Sequence, residues 1–226
     1  MLKRLLGTGI LVGLVVAAGG HLASCDQAYY RTMEAMGKHK RQLLVERVEA
    51  ARDGQLEAKQ QFRDALERFT AVVEFDGGDL EGRYNALRAE LDASEAKAEA
   101  VRNRIEAVEE VADALFEEWE AELEAYTDED LRLSSEIKMH DTRKRYAQLL
   151  RSMKRAEGKM DPVLAAFRDQ VLYLKHNLNA RAVASLEQTA VSLKQDVAGL
   201  IADMEASIAE ANAFIEAMGL APEEAD

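Results

Sequence analysis

Hydrophobic side chains recur along most of the chain at alternating steps of three and four residues. The clearest series runs from Leu80 to Tyr126, and only Ser94 and Glu122 interrupt its apolar character. Three further series with the same spacing cover residues 44–72, 146–174 and 183–218. Because this spacing places one apolar stripe along a helix, the pattern predicts four long helices that pack side by side.

Short polar segments separate the four series and predict the turns between helices. Residues 75–79 offer two glycines that can end a helix and an aspartate that can cap the next one. Thr127 offers a cap before an acidic first turn, and residues 175–179 combine a basic last turn with a capping asparagine. Inside the third series we expect Pro162 to kink the helix, with Gly158 leaving space for its ring.

The spacing and the turns together predict an all-α fold. We expect an elongated antiparallel four-helix bundle, or coiled coil, with helices about 40–48 residues long. The helices are predicted at about 28–74, 79–126, 129–176 and 180–218, and the first three would each be roughly 70 Å long.

The first twenty-five residues predict an export signal that is separate from the bundle. Lys3 and Arg4 precede an apolar run over residues 5–18, which is too short for a comfortable membrane span. The run leads to Leu22-Ala23-Ser24-Cys25, which resembles the lipobox of bacterial lipoproteins, and Cys25 is the only cysteine of the chain. An uncleaved N-terminal anchor with an incidental cysteine is the alternative interpretation.

The resemblance to a lipobox implies that the chain is cut before Cys25 and lipidated there. In such proteins a diacylglyceryl group alkylates the thiol, and an acyl chain such as palmitate usually modifies the new amine. We therefore predict a signal peptide over residues 1–24 and a bundle domain over residues 25–226. Asp26, followed by Gln27, resembles the signal that retains enteric lipoproteins in the inner membrane. We expect the periplasmic face of the envelope and favour the inner over the outer membrane.

The charge distribution excludes one class of function and suggests how the helices are ordered. The chain has 29 basic and 42 acidic residues and a formal charge of −13, which argues against a nucleic-acid-binding protein. Nine acidic residues and no basic residue lie between Glu106 and Glu124. In an up-down-up-down bundle this acidic half-helix lies between two basic segments, at residues 31–47 and 138–151.

Two surfaces are candidate contact sites. The first is a basic set next to the lipid anchor, which could meet anionic head groups or pair with the acidic second helix: Arg31, Lys38, Lys40 and Arg41. The second is the far end of the bundle, where two turns should meet and contact a partner protein. Its residues are Phe75, Asp76, Asp79, Lys175, His176, Asn177 and Asn179. Helix capping is the favoured alternative explanation for the aspartates and asparagines of that set.

No pattern of catalytic or cofactor-binding residues is recognisable in the sequence. A carboxylate-bridged metal site in a helical bundle needs Glu three residues before His, and none of the four histidines has it. A single cysteine excludes an internal disulfide and a zinc site with several thiolates. The methionines of the helical stripes and Trp119 are expected in the core. We therefore predict a protein that is not an enzyme and holds no cofactor or metal.

Three stretches of the chain resemble a known family. They are Ala28-Tyr29-Tyr30 through Arg41, the Phe75–Leu80 turn, and Phe167 through Ala180. They look like the Gram-negative lipoproteins called domain of unknown function 2959, and the resemblance covers essentially the whole mature chain. It implies an all-helical, lipidated envelope protein and brings no established activity.

The sequence thus predicts a membrane-anchored helical bundle that serves as a scaffold or protein-interaction adaptor. We expect the covalent lipid on Cys25 to hold the membrane, and the bundle to bind another envelope protein or a second copy of itself. The alternative is a module whose core binds a lipid or another apolar ligand.

Overall fold

The computed structural model of the chain describes residues 39–75 and 77–219, which form four long α-helices joined by short turns. No strand occurs within these two ranges, and the predicted all-α fold is confirmed. The helices are α1 (Lys40–Val73), α2 (Leu80–Leu123), α3 (Glu129–His176) and α4 (Ala180–Ala217).

Each helix packs against two neighbours. Helix α1 contacts α2 and α4, and α3 contacts the same two helices from the other side. The short turns make consecutive helices antiparallel, as the contact between Lys97 of α2 and Glu57 of α1 at 2.8 Å illustrates. The four helices therefore form a closed antiparallel bundle in up-down-up-down order.

The core follows the predicted apolar stripes. Every member of the α1 series, from Leu44 to Val72, is fully buried. Toward the C-terminal ends of both helices, the rings of Phe69 on α1 and Phe167 on α3 meet edge to face with centroids 6.1 Å apart. This contact joins two helices that lie diagonally across the bundle, so aromatic packing links opposite corners of the core.

Two predicted core positions on α2 are not buried. Trp119 is only half-buried, and its indole Nε1 donates a hydrogen bond of 2.8 Å to Ser135 Oγ on α3. Tyr126 is 41% exposed. The α2–α3 hairpin extends past the first residue of α1, since Lys40 already contacts Glu118. The predictions that Trp119 and Tyr126 lie in the core are therefore wrong.

The start of α1 differs from the prediction. His39 has extended backbone geometry, with φ −81° and ψ 151°, and α1 begins at Lys40 rather than near residue 28. The N–H of His39 donates to Gln42 Oε1 at 3.2 Å, which caps this helix end. The predicted helical segment 28–38 lies outside the described residues.

The other helix ends follow capping chemistry. Asp79 accepts a hydrogen bond of 2.8 Å from the Gly82 N–H, and Asn179 accepts one of 3.0 Å from the Ala182 N–H, as predicted. At α3 the cap is Asp128, which accepts from the Leu131 N–H at 3.0 Å. The expected Thr127 cap is therefore wrong, because the helix begins one residue later than that cap requires.

Helix α3 continues without a break through Pro162. A Cβ atom at Gly158 would have no neighbour within 4 Å, so the residue lies in open space. The expectation that Gly158 leaves room for the proline ring is therefore not supported. Gly54 on α1 is different, because the side chain of Arg104 lies where its Cβ would be.

The predicted charge pairing around the acidic half of α2 is found on both sides. Lys40 of α1 pairs with Glu118 at 2.7 Å. On the other side, two cations of α3 form ion pairs of 2.7 Å: Arg143 with Glu120, and Lys154 with Glu109. The two pairs with α3 are solvent-exposed and add about 0–1 kcal/mol each, so they help to select the helix order rather than to drive folding.

Candidate functional site

Most of the predicted anchor region cannot be placed in the fold. Cys25, Asp26, Gln27, Arg31 and Lys38 all lie outside the described residues. The predictions of a signal peptide, of lipidation and of inner-membrane retention therefore remain sequence predictions. Among the described helices, none combines the length and the apolar character that crossing a membrane requires.

The described part of the basic set is used within the bundle. The Lys40 side chain is 11% exposed and donates from Nζ to Glu118 Oε1 at 2.7 Å. Arg41 donates from Nη2 to the Met218 carbonyl at the end of α4. These two neighbours thus join α1 to α2 and to α4. Lys40 thus makes the predicted pair with the acidic second helix, whereas Arg41 bonds to the end of α4 instead. The head-group contact of this set stays a prediction.

The first turn of the far end is built from local interactions. The Arg83 guanidinium lies over the Phe75 ring, with Cζ 5.2 Å from its centroid, and donates to the Ala71 carbonyl. Asp79 caps α2. Asp76 lies outside the described residues. The side chains of Phe75 and Asp79 therefore stabilise the turn itself.

The second turn of the far end leaves Lys175 and His176 exposed. Asn177 Nδ2 donates to the Tyr173 carbonyl at 2.9 Å, and Asn179 caps α4. Lys175 and His176 occupy the exposed last turn of α3, where the helix dipole favours positive charge. Because consecutive helices are antiparallel, this turn and the 75–79 turn lie at the same end of the bundle, as predicted.

A shallow groove near this end was not anticipated from the sequence. It has a volume of about 350 Å³. Tyr173 Oη and Ser185 Oγ lie 3.1 Å apart on its wall and link α3 to α4. Nearby, Leu172 is 51% and Leu178 41% exposed. The lining residues are Gln170, Tyr173, Ser185, Leu186 and Thr189.

The sequence does contain a signal for the exposed apolar side chains beside this groove. Leu172, Tyr173 and Leu174 are three consecutive large side chains, and a helix can point only one or two of them into the core. Leu174 is fully buried, so the other two are left at the surface.

The opposite end of the bundle exposes a second set of apolar side chains. They lie on the α2–α3 hairpin, among acidic residues such as Glu129 and Asp130. The four side chains are 41–59% exposed and belong to Tyr126, Leu131, Leu133 and Ile137. The apolar series of the sequence places Tyr126 in the core and omits the other three side chains, because they lie off the stripe that faces the core.

Among the described residues, Tyr146 and Glu57 have pKa values that their surroundings shift. Burial raises the pKa of the Tyr146 phenol, and the nearby carboxylates of Asp113 and Glu109 add to the shift. On the surface, Lys97 lowers the pKa of the Glu57 carboxyl through a hydrogen bond and its charge. Over the two described ranges, His, Cys, Asp and Glu form no group of three or more that could hold a metal ion.

Comparison with protein families matches residues 29–218 to a family described as "Protein of unknown function (DUF2959)". The matched range contains all four described helices and extends upstream of α1. No curated protein matches the chain.

Proposed function

This chain belongs to the DUF2959 family of proteins of unknown function, and we propose that it is a lipid-anchored scaffold or protein-interaction adaptor of the bacterial cell envelope. The observation that carries the proposal is the sequence Leu22-Ala23-Ser24-Cys25, in which the only cysteine follows a lipobox pattern. A thiol lipidated at that point would tether the downstream helical bundle to the periplasmic face of a membrane. Stable tethering needs two lipid chains, and lipoprotein modification supplies at least two.

The far end of the bundle is the surface we assign to partner binding. Tyr173 and Leu178 are exposed there together with Lys175 and His176. Apolar side chains beside the Lys175 ammonium group on one turn suit a protein partner that presents apolar and acidic groups. The capping bonds of Asn177 and Asn179 hold the turn in place.

The alternative, a module that binds a lipid or apolar ligand in its core, is less well supported. The α3–α4 groove is open to solvent, and most of its lining residues are polar. Fully buried side chains such as Phe62, Phe69 and Met160 occupy the bundle interior. Lipid that co-purifies with the unlipidated chain would favour this alternative.

The anchor is tested by replacing Cys25. Cells that produce the full chain are fed an alkyne analogue of palmitate, and the label on the protein is measured together with membrane fractionation. The native chain should carry the label and pellet with membranes, whereas Cys25→Ala should lose both. Gln27→Ala is the matched control and should keep both. A labelled Cys25→Ala chain that still pellets would contradict the proposal.

The partner surface is tested by photo-crosslinking in cells. A photoreactive amino acid is placed at Leu178, which is 41% exposed, in the full chain, and the captured proteins are identified by mass spectrometry. The control position is Leu56, which is 41% exposed on α1, and a third position is Leu131, which is 59% exposed at the opposite end. One envelope protein captured from Leu178 and not from Leu56 supports the assignment. Capture from Leu131 in place of Leu178 would move the partner surface to the other end.

A further inference from the structure

One polar side chain lies in the middle of the hydrophobic core. Gln55 occupies the α1 stripe between Ala51 and Ala58, and all three residues are fully buried. Neither Oε1 nor Nε2 of Gln55 has a hydrogen-bond partner among the described residues. Burying an amide without hydrogen bonds is strongly unfavourable. Gln55 therefore requires a polar partner within the core.

A second unpaired polar atom lies at the same level on the neighbouring helix. Ser207 of α4 is fully buried, and its Oγ also lacks a hydrogen-bond partner among the described residues. Two contacts between α1 and α4 bracket Gln55 and Ser207 along the bundle. They join Arg52 to Asn212 at 3.2 Å and Lys59 to Glu205 at 3.4 Å. Gln55 and Ser207 thus face the core from adjacent helices at matching heights.

The other buried polar side chains of the described core are satisfied. Ser94 Oγ donates to the Glu90 carbonyl at 2.7 Å, and Ser152 Oγ accepts from Arg155 at 3.1 Å.

Asp203 Oδ2 on α4 is also buried without a hydrogen bond, but it lies 2.6 Å from Lys159 Nζ and forms an ion pair there. Among the described residues, the buried side-chain atoms that lack both a hydrogen bond and an ion pair therefore belong to Gln55 and Ser207. Gln55 and Ser207 thus differ from the other buried serines, whose hydroxyl groups are hydrogen-bonded.

We propose that Gln55 and Ser207 bind an internal water molecule between α1 and α4. A buried water makes about three hydrogen bonds to polar groups that are otherwise unpaired, and this pair supplies amide N–H, amide oxygen and hydroxyl. The residues one turn away along the same helices are alanines: Ala51 and Ala58 beside Gln55 on α1, and Ala211 beside Ser207 on α4, all fully buried. Their methyl groups offer no hydrogen bond to the amide or to the hydroxyl. The layer would then be a hydrated polar site in an otherwise apolar core.

The site is tested by nuclear magnetic resonance on the full chain with ¹⁵N-labelled glutamine side chains. The Gln55 amide protons should show a cross-peak to water whose sign reports a residence time longer than rotational tumbling. The peak should be lost in Gln55→Leu, which also assigns it, and reduced about two-fold or more in Ser207→Ala. Ser94→Ala is the matched control, because its hydroxyl is already bonded to Glu90, and it should keep the peak.

A crystal structure of the full chain gives a second measurement that depends on no variant. Density for a water within hydrogen-bond distance of Gln55 and Ser207 would support the site. Gln55 amide protons that contact only protein protons, or a dry layer in which both side chains bond directly to protein, would overturn it.

Discussion

Among single residues, Tyr146 shows how burial changes the chemistry of a side chain. Its ring packs against Phe116, with centroids 5.7 Å apart. Burial away from solvent is the main cause of the raised pKa of its phenol. The carboxylates of Asp113 and Glu109 add to the shift. Ionised Tyr146 would be a buried anion beside other anions, so the fold favours the neutral phenol.

This shift predicts that the protein loses stability in alkali. The folded pKa of Tyr146 lies above the unfolded value of 10.0. The contribution of the neutral phenol to the free energy of unfolding is therefore fully present below pH 10 and is lost as the pH rises above that value. Between pH 9 and pH 11 the free energy of unfolding should fall by about 1 kcal/mol more in the native chain than in Tyr146→Phe.

Urea unfolding at both pH values measures this difference. Tyr126→Phe, at a 41% exposed position, is the control and should follow the native profile. Identical profiles for the native chain and Tyr146→Phe would contradict the assignment.

Burial also predicts how much individual apolar side chains contribute. Phe62 is fully buried on α1, whereas Leu56 on the same helix is 41% exposed. Phe62→Ala removes a ring and leaves a cavity, so it should cost about 3–5 kcal/mol in the free energy of unfolding. Leu56→Ala should cost less than about 1 kcal/mol. Chemical denaturation of both variants checks the contrast, and equal losses would refute the described orientation of α1.

Among the helices, α1 and α3 each contain a glycine in a different environment. Gly158 of α3 faces open space, whereas Gly54 of α1 is covered by the Arg104 side chain. Arg104 donates from Nη1 to the Ala50 carbonyl at 3.3 Å and so runs along the surface of α1. Only Gly158 can therefore be replaced by alanine without moving a neighbouring side chain.

Replacing the two glycines by alanine should therefore have different effects. Gly158→Ala should raise the free energy of unfolding by about 1 kcal/mol, because alanine favours a helix and restricts the unfolded chain. In Gly54→Ala the new methyl displaces Arg104, which offsets that gain, so the variant should be less stable than Gly158→Ala. Thermal unfolding compares the two variants, and a larger gain for Gly54→Ala would contradict the described position of Arg104.

For the bundle as a whole, the helix order can be checked by cross-linking. Lys59 of α1 and Glu205 of α4 lie 3.4 Å apart on neighbouring helices. Lys97 of α2 contacts Glu57 of α1, so it lies at a similar height on the helix diagonal to α4. Cysteines at Lys59 and Glu205 therefore probe neighbouring helices, and cysteines at Lys97 and Glu205 probe diagonal helices.

In a Cys25→Ala background, Lys59→Cys with Glu205→Cys should cross-link in high yield with a short bismaleimide. Lys97→Cys with Glu205→Cys should cross-link far less, because the core separates the two helices. Gel mobility under denaturing conditions and mass spectrometry of the linked peptides give the yields. A diagonal pair that cross-links as well as the neighbouring pair would contradict the order α1-α2-α3-α4.

Much of the candidate contact surface escaped sequence interpretation because exposure depends on neighbouring helices. The capping roles of Asp79 and Asn179 were predictable, since a helix end needs local acceptors wherever it lies. The exposed side chains of Leu131 and Ile137 were not predictable, because their exposure depends on which faces of α3 the other helices cover.

The amino-acid sequence alone determined that the described chain is helical and which stripe of each helix is buried. Period and capping act within one helix, so a stripe such as Leu44 to Val72 needs no information from elsewhere. The tertiary structure decided which neighbour each residue meets. Adjacent Lys40 and Arg41 bind α2 and α4 respectively, and Gln55 is matched in height with Ser207. Those pairings depend on helix order and relative height, which arise only when all four helices pack together.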